Sequence, residues 1–230
     1  MDLNHSSLRV RVRAYAKAFW KENRQFFFLL FCIVFFKSAV ADLSSVSGAS
    51  MQPTLLDGDK VWVNKLAYDV KIPWTDISLA EINDPSRGDI VIFDSEKANK
   101  RLVKRIVGIP GDTVYIQNNT LVINGEPANY EVVSRDSSAI IIQEEIQDMA
   151  HQAQLSSRYV NRSSRSYGPS VVPDDMYFVL GDNRDNSADS RVYSFVPRGE
   201  IMGRSNSVVF SLDSHNNYLP RGERFLEGLD

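Results

Sequence analysis

Apolar positions along this chain mostly come in short alternating runs, and one stretch breaks that habit. Phe26 to Phe36 is apolar without interruption, with Cys32 behaving as a small hydrophobe. Extension through Lys37-Ser38-Ala39-Val40-Ala41 brings the run close to the ~20 residues that a spanning helix needs. The pattern predicts a transmembrane signal-anchor over residues 25–41, behind a basic N-terminal segment over 1–24. Lys37 can snorkel toward one interface and Trp20 can sit at the other. Arg9, Arg11, Arg13, Lys17, Lys21 and Arg24 precede the run, against only Asp2 and Glu22, so the positive-inside rule puts the N-terminus in the cytoplasm and the rest outside it. Ala39-Val40-Ala41 is also an A-x-A site, the mark of a cleaved signal peptide. The long basic segment and the interruption by Lys37 favour an uncleaved anchor.

After residue 42 the period changes to two. Lys60–Asn64 alternates, and Asp89–Phe93 and Lys104–Val107 are short β-branched runs bounded by turn residues. Thr113–Gln117, Asn118-Asn119 and Thr120–Ile123 read as a hairpin, closed by Asn124-Gly125. Met176–Leu180 and Ser207–Leu212 are further strands. The spacing is that of a mostly-β fold, without the alternation of strands and helices that marks a parallel sheet. In the middle, Ile140-Ile141-Ile142 is expected to end a strand, Glu144–Leu155 has helix-forming composition, and Ser156–Ser170 reads as an exposed polar loop.

Composition removes some function classes. The 230 residues carry a formal net charge of −3, which does not point to nucleic acid as a partner. Cys32 is the single cysteine, so no disulfide can form within the chain. There is no Cys/His cluster of the zinc type, and no metal or cofactor is implied.

Three motifs carry candidate chemistry. They are Gly48-Ala49-Ser50-Met51-Gln52-Pro53-Thr54-Leu55, Arg101-Leu102-Val103-Lys104-Arg105-Ile106-Val107-Gly108-Ile109-Pro110-Gly111-Asp112, and Gly181-Asp182-Asn183-Arg184-Asp185-Asn186-Ser187-Ala188-Asp189-Ser190-Arg191. Pro85-Ser86-Arg87-Gly88-Asp89-Ile90-Val91 lies between the first two. Small residues before Ser50 let another backbone come close, and Pro53 stiffens the turn after it. Lys104 has apolar neighbours in Leu102, Val103, Ile106 and Val107; burial among them would lower its pKa and allow it to act as a base. On residues alone Lys100 and Lys60 remain open as alternatives. A histidine base would have to come from His5, His151 or His215, none of which has a motif around it.

In this order, the motifs resemble bacterial signal peptidase I over roughly residues 46–212. The resemblance implies a membrane-bound Ser/Lys endopeptidase that removes signal peptides from exported pre-proteins. Ser50 would be the nucleophile, and the pattern Lys-Arg-x-x-G-x-P-G-D selects Lys104 as general base. Ser187 would orient Lys104, Asp189 and Arg191 would be a buried structural pair, and Asp182 and Arg184 would be scaffold. Some members carry a hydroxyl residue two positions before the nucleophile to complete the oxyanion hole. Gly48 stands there, so the hole would use the Ser50 N–H and a second donor, at the Gly48 backbone or a water.

The resemblance also implies the organisation: an antiparallel catalytic β core from 42–112 and 174–213, an inserted β region over 113–173, and a polar C-terminal tail over 214–230. The substrate would add as an extended strand beside Ser50, with two shallow pockets for small side chains. Met51 would lie at the membrane-facing rim, and Trp62 and Trp74 are candidates for interface or core. The expected partners are signal peptides and membrane lipid, with the catalytic part on the outer side of the inner membrane. Two other readings stay open. One is a specialised relative that matures a conjugative pilin or a few secreted proteins. The other is a non-catalytic anchored protein that only binds signal peptides.

Overall fold

The computed structural model describes residues 3–72, 75, 77–147, 149–157, 165–214 and 216–229. Trp74 and His215 lie outside the described residues, as does the side chain of His5. Leu3–Ala39 form one 37-residue helix. Its unbroken apolar stretch, Phe26 to Phe36, covers about 16 Å at 1.5 Å per residue, roughly half of a ~30 Å hydrocarbon core. No helix among the described residues is long and apolar enough to cross a membrane. Within the expected 25–41 segment the helix stops at Ala39, and Ala41 already opens the first strand, Ala41–Ser45. The apolar stretch is exposed on all sides, Phe28, Leu29, Phe31 and Ile33 included.

The rest is antiparallel β. The main sheet has nine strands and runs Ala41–Ser45, Asp59–Asn64, Ile201–Asp213, Ile90–Ser95, Lys100–Gly108, Met176–Leu180, Val196–Pro197. Residues after 213, read from sequence as a polar tail, turn back onto it. Leu219–Pro220 and Glu227–Gly228 pair with the long strand, and Arg224 forks onto buried Asp59 at 2.7 and 3.2 Å. Two smaller sheets come from the middle of the chain. One holds Tyr167–Val171, Thr113–Gln117, Thr120–Ile123 and Glu126–Pro127; the other holds Asn129–Arg135, Ala139–Ile146 and Met149–Ser156. Asp69–Lys71 and Ser78–Glu81 form a separate ribbon.

The expected hairpin forms, with Gln117 opposite Thr120. Asn118 and Asn119 both take left-handed φ, 49° and 67°, as its two-residue turn requires.

The helix-forming reading of Glu144–Leu155 is wrong. Ala139–Ile146 and Met149–Ser156 pair in register from Ala139 opposite Ser156 to Ile146 opposite Met149. The inward positions are Ile142, Glu144 and Ile146 on one strand and Met149, His151 and Ala153 on the other. A glutamate and a histidine hold core positions there, which hides the period of two. The loop expected over Ser156–Ser170 is likewise corrected at its end, where Tyr167–Val171 is a strand paired with Thr113–Gln117. Residues 158–164 lie outside the described residues.

Three apolar clusters fill the fold. Val46, Met51, Leu55, Val61, Ile90 and Val208 lie beneath the Ser50 turn. Val91, Phe93, Ile106, Tyr177 and Val179 form a second. Val107, Ile116, Leu121, Ile146, Met149 and Phe178 join the smaller sheets to the main one.

Candidate active site

Successive residues of a strand face opposite ways. In Lys100–Gly108 this sends Lys104 one way and Arg105 the other, and both meet partners from distant motifs. Lys104 Nζ donates to Ser50 Oγ at 2.8 Å and to the Val103 carbonyl at 2.9 Å. Arg105 forks onto Asp182, Nε to Oδ1 at 3.0 Å and Nη2 to Oδ2 at 2.9 Å. Thr54 Oγ1 donates to the same carboxylate at 2.6 Å. Asp182 therefore fastens the turn after Ser50 to the strand that carries Lys104.

Lys104 is 2 % exposed. Burial penalises its ammonium and outweighs the pull of Asp189 and Asp182, leaving a pKa of about 8. About half of such lysines are neutral at pH 8, and a neutral amine can accept the proton of a hydroxyl 2.8 Å away.

The turn Gly48–Met51 is held from both sides. Gly48 has φ +85°, which suits glycine, and its N–H donates to Asp57 Oδ1 at 2.7 Å. Gly48 N–H is thereby occupied, which corrects the expectation that it could serve an oxyanion. Asn183 binds the other side, its N–H to the Ser50 carbonyl at 3.1 Å and its Nδ2 to the Ala49 carbonyl at 3.0 Å. Met51 is 1 % exposed and belongs to the core, so its expected place at a membrane-facing rim is corrected. Trp62 is partly exposed on the main sheet.

The third motif wraps behind this pair. Arg191 holds Asp189 through Nε to Oδ1 at 2.8 Å and Nη2 to Oδ2 at 2.7 Å, with both side chains buried. Asp189 also accepts from the Gly181 N–H at 3.0 Å. A side chain at Gly181 would overlap Ser187 Oγ and the Ser50 carbonyl, so the loop can close on the nucleophile's backbone only with glycine there. Ser187 Oγ is buried and makes no hydrogen bond of ordinary geometry, though it stands close enough to Asp189 to favour the ionised carboxylate. The structure shows no hydrogen bond from Ser187 to Lys104.

Arg184 forks onto Glu144 at 2.6 and 2.5 Å, and His151 Nε2 lies 3.3 Å from Arg184 Nη2 and 3.7 Å from Asp182 Oδ1. Burial and the adjacent Arg105 lower the His151 pKa to about 4, so this ring is neutral near pH 7. Burial pushes the Asp182, Glu144 and Asp189 carboxyls up; the paired guanidinium in each case more than reverses it, and all three lie below the usual carboxylate range.

Three of the residues that hold the site were not singled out from sequence. Asp57 and Asn183 sit in or beside the motifs, and their roles depend on contacts that no spacing reveals. Glu144 carried no signal, since its partner is 40 positions away. Among the described residues no group of His, Cys, Asp and Glu could hold a metal.

Comparison with known proteins agrees with the motifs. A family model described as signal peptidase, peptidase S26, matches residues 20–210. Signal peptidase I of Pseudomonas aeruginosa is 34 % identical over 206 residues, covering 82 % of this chain and 72 % of the relative. Signal peptidase I P of Bacillus subtilis subsp. natto is 36 % identical over 169 residues, covering 73 % and 76 %. A solved signal peptidase I from Enterococcus faecalis aligns at 29 % identity with a TM-score of 0.35, over 54 % of this chain and 97 % of that one. With the match of the family model extending over most of its length, the chain belongs to the signal peptidase family, peptidase S26, and is a peptidase of that family.

Proposed function

We propose that this peptidase is a membrane-attached serine endopeptidase that removes signal peptides from exported pre-proteins with a Ser50–Lys104 dyad. The observation that carries the reading is the 2.8 Å contact between Ser50 Oγ and a buried Lys104 amine whose pKa is lowered to about 8. Neutral Lys104 takes the Ser50 proton as Oγ attacks the scissile carbonyl, and returns it to the leaving amine. Water then attacks the acyl-enzyme, with Lys104 again as base. The Ser50 N–H is the protein donor we assign to the oxyanion; with Gly48 N–H engaged by Asp57, a water supplies the second. Ser187, buried and without an ordinary hydrogen bond, is the hydroxyl we assign to steering Lys104. Asp189 and Arg191 hold the loop behind it.

The helix Leu3–Ala39, apolar on every face between Phe26 and Phe36, is the segment we assign to membrane attachment, with the basic end on the cytoplasmic side of a bacterial inner membrane. Its end continues directly into strand Ala41–Ser45, only a few residues before Ser50, which would keep the dyad near the membrane surface where signal peptides emerge.

The test is cleavage of a model pre-protein in detergent. Wild type is expected to cut it. Ser50→Ala and Lys104→Ala are each expected to lose cleavage with the fold retained, and the double variant to be hardly worse than either single, because the two groups act as a unit. Full activity in Lys104→Ala with loss in His151→Ala would overturn the assignment.

A further inference from the structure

We propose that Glu144, supplied by the three-stranded sheet in the middle of the chain, is a positioning residue for the reaction: through Arg184 it sets the loop Gly181–Arg191 that orients both Ser50 and Lys104. The inference rests on the dyad reading above.

Glu144 is fully buried and holds Arg184 through two short charge-assisted bonds, 2.6 and 2.5 Å. The Arg184 carbonyl accepts from Arg191 Nη2 at 2.7 Å, the same nitrogen that holds Asp189 Oδ2 at 2.7 Å. Asp189 in turn receives the Gly181 N–H, and its charge is the leading influence that draws the Lys104 pKa up. On the other side of Arg184, Asn183 holds the carbonyls of Ala49 and Ser50. One ion pair therefore stands behind two arms, one bonded through Asn183 to the backbone of the nucleophile's turn and the other ending at Asp189, whose charge acts on Lys104. The same sheet holds the loop at two further points, its backbone by Gln154 N–H to the Asp182 carbonyl at 2.8 Å and its Asp185 side chain by Ser156 N–H to Oδ2 at 2.9 Å. A buried ion pair adds little net stability but leaves a costly bare charge when one partner is removed, so loop geometry is where its loss should be read.

The experiment measures kcat and KM against pH on the full chain in detergent, with Ser50→Ala as blank. Glu144→Gln keeps shape and loses charge. Its kcat is expected to fall on the order of tenfold or more with KM within about twofold, as for an interaction expressed in the transition state. Its acidic limb is expected to move to lower pH, because Lys104 loses part of the pull of Asp189. Arg184→Gln is expected to match it, and the double variant to be no worse than either. Arg184→Lys, which keeps the pair but not the fork, is expected to lose several-fold in kcat, and it decides the question if Glu144→Gln does not fold. Wild-type kcat and an unmoved limb in a folded Glu144→Gln, or in a folded Arg184→Lys, would overturn the proposal. A loss confined to KM would do the same. Activity surviving in Ser50→Ala would instead sink the dyad reading, so the two failures are distinct.

Discussion

At the scale of single residues, Lys104 concentrates the conflict between stability and chemistry. Its pKa falls from 10.5 to about 8, so the folded state holds this proton less tightly than the unfolded one. Between those two values the unfolded chain binds more protons, and stability rises with pH; below about pH 8 the full penalty is present. That penalty is on the order of 3 kcal/mol. Lys104→Met keeps the aliphatic stem and removes the charge. It is expected to abolish cleavage and to raise the melting temperature at pH 7, with the gain shrinking toward pH 10; calorimetry at both values checks it. In the wild type, cleavage is expected to rise as pH passes through about 8, with a single ionisation on the acidic side. A limb near pH 4 would point to His151 instead.

At the scale of elements, the loop Gly181–Arg191 is the part that joins everything. It pairs with Arg105 through Asp182, with the Ser50 turn through Asn183, with the middle sheet through Arg184, and with itself through Asp189 and Arg191. Its entry point is the least tolerant position. In Gly181→Ala the new methyl meets the Ser50 carbonyl and Ser187 on a backbone that other bonds hold in place. Overpacking of this kind typically costs about 1–3 kcal/mol. The expected outcome is a lowered melting temperature and a kcat reduced by more than tenfold, since the displaced atom belongs to the nucleophile's own residue. Gly199→Ala, which meets open space, serves as the control and should leave both unchanged.

At the scale of the whole molecule, a β body of several sheets is attached to a helix that makes few contacts with it. The apolar stretch from Phe26 to Phe36 leaves all its aromatic side chains but half-buried Phe27 exposed, a surface that water does not favour. Ala41, the last residue of the A-x-A site, is 4 % exposed and pairs with Asn64. Cleavage after it would cost the edge strand its first residue. The expected result is a full-length protein that stays with the membrane fraction after a high-salt wash. Protein N-terminal sequencing checks it, and a dominant form starting at Asp42 would overturn it.

Much of the molecule was legible in the chain because the signals were local. The strands with β-branched alternation, the Asn118-Asn119 turn and the mostly-β character after residue 42 follow from interactions within a few residues. The motifs around Ser50 and Lys104 were legible too, since the residues themselves are unusual in those surroundings. Sequence could not say that Lys104, rather than Lys100 or Lys60, would be the buried lysine against Ser50. That depends on two strands and a turn converging from positions 54 residues apart. It also misread Glu144–Leu155, because buried Glu144 and His151 look like solvent-facing residues until Arg184 and Asp182 are brought beside them. Polar groups in a core are paid for by partners distant in the chain, and no local pattern records where those partners will be. Only the tertiary structure decided that Gly48 N–H is engaged by Asp57, that Met51 is core, and that the middle sheet reaches the active-site loop.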